Sequence, residues 1–280
     1  MSATSAMHMR APLITFTGVD HHTPFDLLWE IVRDRPYVEL GILVSDTNTA
    51  RRYWTWAEAL GLVSSVGVGG GTLASVGARV AFHVCGGGAR WQLAADPVIE
   101  QKLTKAKRAG LVYRTQINGP RAETFMQPAS TGARGAGELH DCGLVLERAG
   151  CDGVILQLQC TDGDMLERPA FWNGSGFFQY LIDGSGGRGL LPEHWPSTCG
   201  DMRVGYAGGL GSDNLLVELP KILQVASPGW WIDMESSLRV HSGQFDIEPS
   251  DTFSLEKMVS ALMAFEAVLD EAFNWRALVQ

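Results

Sequence analysis

This sequence has little positive charge, no paired-cysteine spacing and no long apolar run. Lys plus Arg number 22 against 31 Asp plus Glu, a formal net charge of −9, which argues against the basic stripe of a nucleic-acid surface. The five cysteines (Cys85, Cys142, Cys151, Cys160, Cys199) are odd in number and contain no C-x-x-C pair, so neither a disulfide framework nor a zinc ribbon organises the chain. No stretch approaches the roughly 18 apolar residues of a membrane span, and the opening MSATSAMHMRAP lacks the apolar segment of a signal peptide. The expectation is a cytoplasmic protein without nucleic-acid or membrane partners, with residues 1–12 as a flexible tail. A G-x-G-x-x-G after the first strand candidate is also missing, since TGVDHHT stands there. That disfavours a dinucleotide-binding open sheet.

What the 280 residues do contain is an alternation. β-branched or apolar runs at 13–20, 37–45, 78–86, 111–119, 153–159, 177–184, 202–209 and 230–236 read as eight strands. Helical spacing fits 24–35, 51–62, 97–110, 137–149, 212–224 and 254–275, while 160–176 reads as loop. Repeated strand–helix units imply parallel strands with right-handed crossovers. Eight of them predict an α/β fold, a closed (β/α)8 TIM barrel forming one domain over residues 13–280. An open doubly wound sheet is the runner-up.

Period-2 alternation sorts each strand into helix-facing and interior sets. In the second strand Val38, Leu40, Ile42 and Val44 face the helices, leaving Glu39, Gly41 and Leu43 inside. His83 and Cys85 point inward from the third strand, and Arg114, Gln116 and Asn118 from the fourth. The later strands add Gln157 and Gln159, then Gln179, Leu181 and Asp183, then Arg203 and Gly205, and finally Asp233 and Glu235. Barrel interiors are usually filled by Val, Ile and Leu. So polar a set, each member needing a partner once buried, predicts either a satisfied core network or the floor of a pocket built by Glu39, His83, Arg114, Gln116, Gln157, Arg203, Asp233 and Glu235.

Asp183 ends the sixth strand, directly before GSGGRG, and the seventh strand runs into YAGGLGSDN. Side chains at the C-terminal strand ends face the active-site mouth of this fold. Glycine-rich turns there bring backbone N–H groups close to an anion, and Ser212 and Asp213 are candidate caps of the following helix. These residues carry a family resemblance. IDGSGGRG, YAGGLGSDN and IDMESSLR…SGQFD, in that order, resemble the last third of phosphoribosylanthranilate isomerases, and ITFTGVD stands in the place of that family's first strand. The resemblance is sharp over about 180–250 and faint over 13–120. It implies that Asp183 is the general acid. It also implies that Gly186, Gly187, Arg188, Gly189, Ala207, Gly208, Gly209, Leu210, Ser236 and Ser237 border a substrate phosphate.

Two positions depart from the family. Thr17 occupies the place of its first-strand cysteine, the general base, and a threonine hydroxyl does not act as a base near neutral pH without an activating group. Asp20, His21, His83 and Cys85 are the candidate substitutes. Glu235 stands at the first of the family's two serines, where a carboxylate repels a phosphate by roughly 4 kcal/mol per charge pair at 4 Å and an effective dielectric of 20. Arg188 could offset it, or Glu235 could pair with Arg203 or Arg239. In RRYWTW, Arg51 or Arg52 could hold an acidic substituent, with Tyr53 or Trp54 over a ring. Trp230 and Trp231 read as packing residues.

The resemblance therefore implies a small phosphorylated sugar as partner and an aldose–ketose (Amadori-type) isomerisation, or a diverged reaction outside tryptophan synthesis, without a cofactor or metal and on a monomer or homodimer. The alternatives are a catalytically silent sugar-phosphate binder, and a metal-dependent hydrolase on the same barrel using Asp20, His21, His22, His83, Cys85, Asp183 and His194.

Overall fold

The structure is a computed structural model that describes residues 12–48, 50, 52–65, 72–73, 77–118, 136–158, 177–198, 202–240 and 251–272. Its strands are β1 (Leu13–Thr17), β2 (Val38–Val44), β3 (Arg79–Cys85), β4 (Val112–Asn118), β5 (Val154–Leu158), β6 (Phe178–Asp183), β7 (Val204–Ala207) and β8 (Trp231–Met234). Each is parallel to the next, and β8 returns to β1 with Thr15 opposite Asp233. The eight strands close into a barrel, which leaves this ring no free edge. The seven helices among the described residues are α1 (Phe25–Val32), α2 (Trp56–Ser64), α3 (Gly87–Ala95), α4 (Pro97–Arg108), α5 (Ala136–Arg148), α6 (Leu215–Val225) and α7 (Leu255–Ala272). The fold is the expected (β/α)8 barrel. None of these helices is long and apolar enough to cross a membrane.

Local chemistry sets the element boundaries. Thr55 and Glu58 form a reciprocal capping box at the start of α2. Asp96 accepts from the Val98 N–H and Pro97 occupies the first turn of α4, where its missing donor is harmless. Two elements differ from the sequence reading. Residues 53–54 are a short strand beside Leu43–Val44 rather than the start of a helix over 51–62, so the helix begins only at Trp56. The helix α3 was not expected, because it opens on Gly87 and Gly88, residues of poor helix propensity. The Asp46 carboxylate packs directly over Gly88, 1.5 Å from where a Cβ would sit, so a larger residue there would have to displace that side chain.

Outward-facing Val38, Leu40, Ile42 and Val44 of β2 are fully buried in the shell between barrel and helices. Inside the barrel, the lower layer is polar and closed. Arg114 donates from Nε and Nη2 to Glu39 (2.9 and 2.5 Å) and from Nη1 to Gln179 Oε1 (2.7 Å), while Thr15 donates to the same Glu39 carboxylate (2.9 Å). The guanidinium lies 4.2 Å from the centre of the Trp231 ring, a cation–π contact. Trp231 fits because β7 has Gly205 opposite it, where a Cβ would sit 2.1 Å from the indole. Burial opposes the Glu39 charge, but Arg114 and Thr15 outweigh it and hold the carboxyl below its usual range. Glu39 is fully bonded in this layer, Gln179 Nε2 has no hydrogen-bond partner among the described residues, and the layer lies below the cavity described next rather than lining it.

Candidate functional site

A cavity of about 320 Å³ opens at the C-terminal ends of the strands. One wall is made by side chains of β3 to β6: His83, Gln116, Asn118, Gln157 and Asp183. The facing wall is backbone-rich, built by Gly187 and Gly189, by Ala207 to Leu210, and by the segment from Asp233 to Ser237. Three loops that are far apart in sequence thus meet at one place, as the order of β6, β7 and β8 around the ring requires.

The glycines in these loops have a steric cause. Gly208 and Gly209 adopt φ of +110° and +65°, a region that disfavours side chains. A Cβ on Gly208 would lie 2.9 Å from the Leu190 carbonyl oxygen and 3.2 Å from Asp183 Oδ1. The Asn214 side chain ties the turn together, accepting from Gly211 N (3.0 Å) and donating to the Gly209 carbonyl (2.8 Å). Asn214, rather than the expected Ser212 or Asp213, is the residue immediately before α6.

Asp183 organises the first of these loops. Its Oδ1 accepts from the Ser185 N–H (3.0 Å) and hydroxyl (2.7 Å), and its Oδ2 from the Gly187 N–H (2.6 Å) and Gln157 Nε2 (2.8 Å). All four lone-pair positions of the carboxylate are in use. To carry a proton, Asp183 must release one of these donors, and Gln157, the one side-chain amide among them, also lines the cavity.

A second carboxyl is set differently. Thr17 Oγ1 donates to Asp233 Oδ1 at 2.7 Å. The same hydroxyl lies 3.4 Å from His83 Nε2, with the direction of that contact set by the ring's tautomer. Burial pushes Asp233 up to about 7, against the lowering effect of its Thr17 bond. Burial also pushes His83 down to about 4. The imidazole is therefore neutral near pH 7, and its 3.9 Å approach to Asp233 Oδ2 is not an ion pair there. Thr17 Oγ1 is packed over Gly41, where a Cβ would lie 2.1 Å from it. The alternation rule had found His83 and Asp233 as interior residues; their link through Thr17 joins three strands and has no local signal.

The remaining candidates fall into two groups. Ser236, Ser237 and Glu235 line the cavity beside the glycine loops. Glu235 pairs with Arg52 (3.2 Å) rather than with Arg203, Arg239 or Arg188, and burial holds its carboxyl above the usual range. Arg188 is exposed and bonds to the Ser185 carbonyl; Gly186 is exposed beside it. Arg203, below the Arg114 layer, bonds to the Gly229 carbonyl. Cys85 accepts from Asn118 and is pushed up to about 11 by burial, which leaves a protonated thiol. Trp54 is buried under His21, whose exposed ring lies tilted against it with centroids 3.8 Å apart. Arg51, Gln159 and the SGQFD segment lie outside the described residues.

Asp20 is a strut rather than a cavity wall. Its Oδ1 accepts from His22 N and Thr23 Oγ1, and its Oδ2 accepts from Arg239 Nη2 (2.9 Å) and Phe253 N (2.8 Å). Arg239 in turn reaches the Gly18 carbonyl and Asp251, so this cluster pins the end of β1 to the chain after β8. An Asp20→Asn variant should lose about 3 kcal/mol of stability, the low end for a broken buried pair because Asp251 still neutralises Arg239. Chemical denaturation should show this loss with ligand affinity unchanged.

No protein-family model matches this chain, and no curated protein matches it. Among the described residues no group of three His, Cys, Asp or Glu side chains is placed to hold a metal ion. The donors a hydrolase would use are dispersed: Asp20 in its strut, His21 and His194 exposed, Asp183 tied into its loop.

Proposed function

We propose that this barrel binds a phosphorylated sugar of the ribose phosphate class and isomerises it by moving a proton between adjacent carbons. The observation that carries the reading is the Thr17–Asp233 pair. In the place where the resembling family has a cysteine base, this chain puts a hydroxyl that donates to a buried carboxyl poised near neutrality. A group with such a pKa takes and returns a proton readily at pH 7. Asp233 is the base in this reading, and Thr17 and His83 hold it in position. Asp183 serves as the acid toward the ring oxygen once Gln157 turns from it to the ligand. The phosphate lies against Gly187, Gly189, Gly209 and Ser236, where the backbone approaches closely, and Arg52 offsets the Glu235 charge beside it.

A second reading has one observation in its favour. Asp183 with four donors already in place suits a protein that binds the sugar phosphate and does not turn it over. Thermal shift with ribose 5-phosphate tests the shared part of both readings: at a hundred times its dissociation constant the ligand should stabilise the fold by about 2.7 kcal/mol. A Gly208→Asp variant should abolish that response, because its side chain would strain the turn and place a carboxylate at the phosphate. A wild-type protein indifferent to every sugar phosphate would remove both readings, and turnover in wild type distinguishes the first from the second.

A further inference from the structure

Among the described residues, the amide-lined wall of the cavity contains one polar atom with nothing to bond. Gln116 is 4% exposed, and its Oε1 is buried without a hydrogen-bond partner. Its amide nitrogen is occupied, donating to Asn118 Oδ1 at 2.8 Å, and Asn118 donates onward to Cys85 Sγ at 3.3 Å. Gln157, on the neighbouring strand, brings a third amide to the same wall. A buried acceptor left empty is unfavourable, so its presence inside a cavity points to something that fills it.

The chemistry of the filler is restricted from two sides. The oxygen and nitrogen of a glutamine amide exchange places if Asn118 turns with it, so the open position faces either an acceptor or a donor. A hydroxyl satisfies both and a carboxylate or an ammonium only one. The space is also confined. About 320 Å³ is at the small end of ligand pockets, which run from roughly 300 to 1,000 Å³. Apart from the imidazole of His83, the lining among the described residues holds no aromatic ring. Its apolar side chains are Leu181, Ala207, Leu210 and Met234. Among these residues a flat aryl group would find no ring but the His83 imidazole to stack on and would lie against three amides.

We propose that Gln116, Asn118 and Gln157 form a subsite that reads the hydroxyls of an unsubstituted sugar chain, and that the ligand is a small polyhydroxy phosphate carrying no aryl group. This rests on the phosphate-end assignment above and adds the identity of the other end. The hydroxyl end sits on β4 and β5 and the phosphate end on the loops after β6, β7 and β8. The carbons between them then lie across the mouth that Asp183 and Asp233 share.

Isothermal titration of the full chain tests this with three ligands: inorganic phosphate, ribose 5-phosphate and an N-phenyl ribosylamine 5-phosphate. Ribose 5-phosphate should bind at least about tenfold more tightly than inorganic phosphate, and the N-phenyl compound more weakly than ribose 5-phosphate. In Gln116→Met the ribose 5-phosphate affinity should fall about tenfold, with inorganic phosphate unaffected. Equal affinity of wild type for the N-phenyl compound and ribose 5-phosphate would overturn the inference. So would an unchanged ribose 5-phosphate affinity in a folded Gln116→Met, which would mean that water alone fills the position. The wild-type panel decides the matter even if that variant fails to fold. Absence of binding by every phosphate, inorganic phosphate included, would instead remove the phosphate-end reading on which it rests.

Discussion

Replacing Asp233 with Asn should reduce turnover of the sugar phosphate by about a hundredfold to ten-thousandfold, the usual contribution of a positioned acid–base group, while leaving the barrel folded. The amide still accepts the Thr17 hydrogen bond but cannot hold a proton that leaves at pH 7. In wild type the rate should rise with pH through an apparent pKa near 7, because a base works only when deprotonated. The stability profile gives an independent signature. A carboxyl whose folded pKa is raised contributes stability that is full below its unfolded value near 4 and is lost as pH climbs through about 7. His83, depressed to about 4, acts oppositely: its contribution is full above its unfolded value near 6.5 and is lost as pH falls through about 4. The two offset each other between pH 4 and 6.5 in wild type. In Asp233→Asn only the His83 term remains, so stability should rise across that window, and at pH 8 the variant should exceed wild type by a few kcal/mol. Denaturant titrations at pH 4.5, 6.5 and 8 measure this. A flat difference between variant and wild type would mean that Asp233 is not perturbed as described.

An Arg114→Met variant should be the most destabilised of the single substitutions considered, by about 3–5 kcal/mol, or a fall in Tm of roughly 10 °C for a chain of this size. The change strands the Glu39 carboxylate in the barrel interior with only Thr15 as donor and removes the contact with Trp231. It also frees Gln179 Oε1. Most of the cost is the abandoned charge rather than the lost attraction, so Arg114→Met combined with Glu39→Gln should recover much of the stability. A double variant no more stable than Arg114→Met would assign the loss to packing against Trp231 instead.

How much of this was readable beforehand follows from which interactions are local. Strand positions and the polar interior came from alternation alone, since Glu39, His83, Arg114, Gln116 and Asp233 differ in parity from the Val, Ile and Leu around them. Helix α3 escaped because glycine propensity predicts against a helix, whereas Gly88 leaves the space that the Asp46 carboxylate occupies. Partner choice was not readable at all. Glu235 has arginines at 203 and 239 nearer in sequence, yet Arg52 reaches it from beyond β2 because barrel closure sets β8 beside β1, one strand away from β2. Asp20 and His21 share a strand end with Thr17, but the backbone turns after Gly18, at φ +94°, and carries both away from the cavity. The Thr17–Asp233 bond depends on the same closure. Its sequence separation of 216 residues gives no pattern to detect.

The proposed function places the phosphate of a sugar in the mouth between the loops after β6, β7 and β8. A crystal structure of the protein with ribose 5-phosphate is the decisive measurement. The phosphate should lie against Gly187, Gly189, Gly209 and Ser236, with the sugar hydroxyls toward Gln116 and a ligand carbon beside Asp233. Ligand density elsewhere on the barrel, or a phosphate seated at the Gln116 wall with the glycine loops empty, would contradict it.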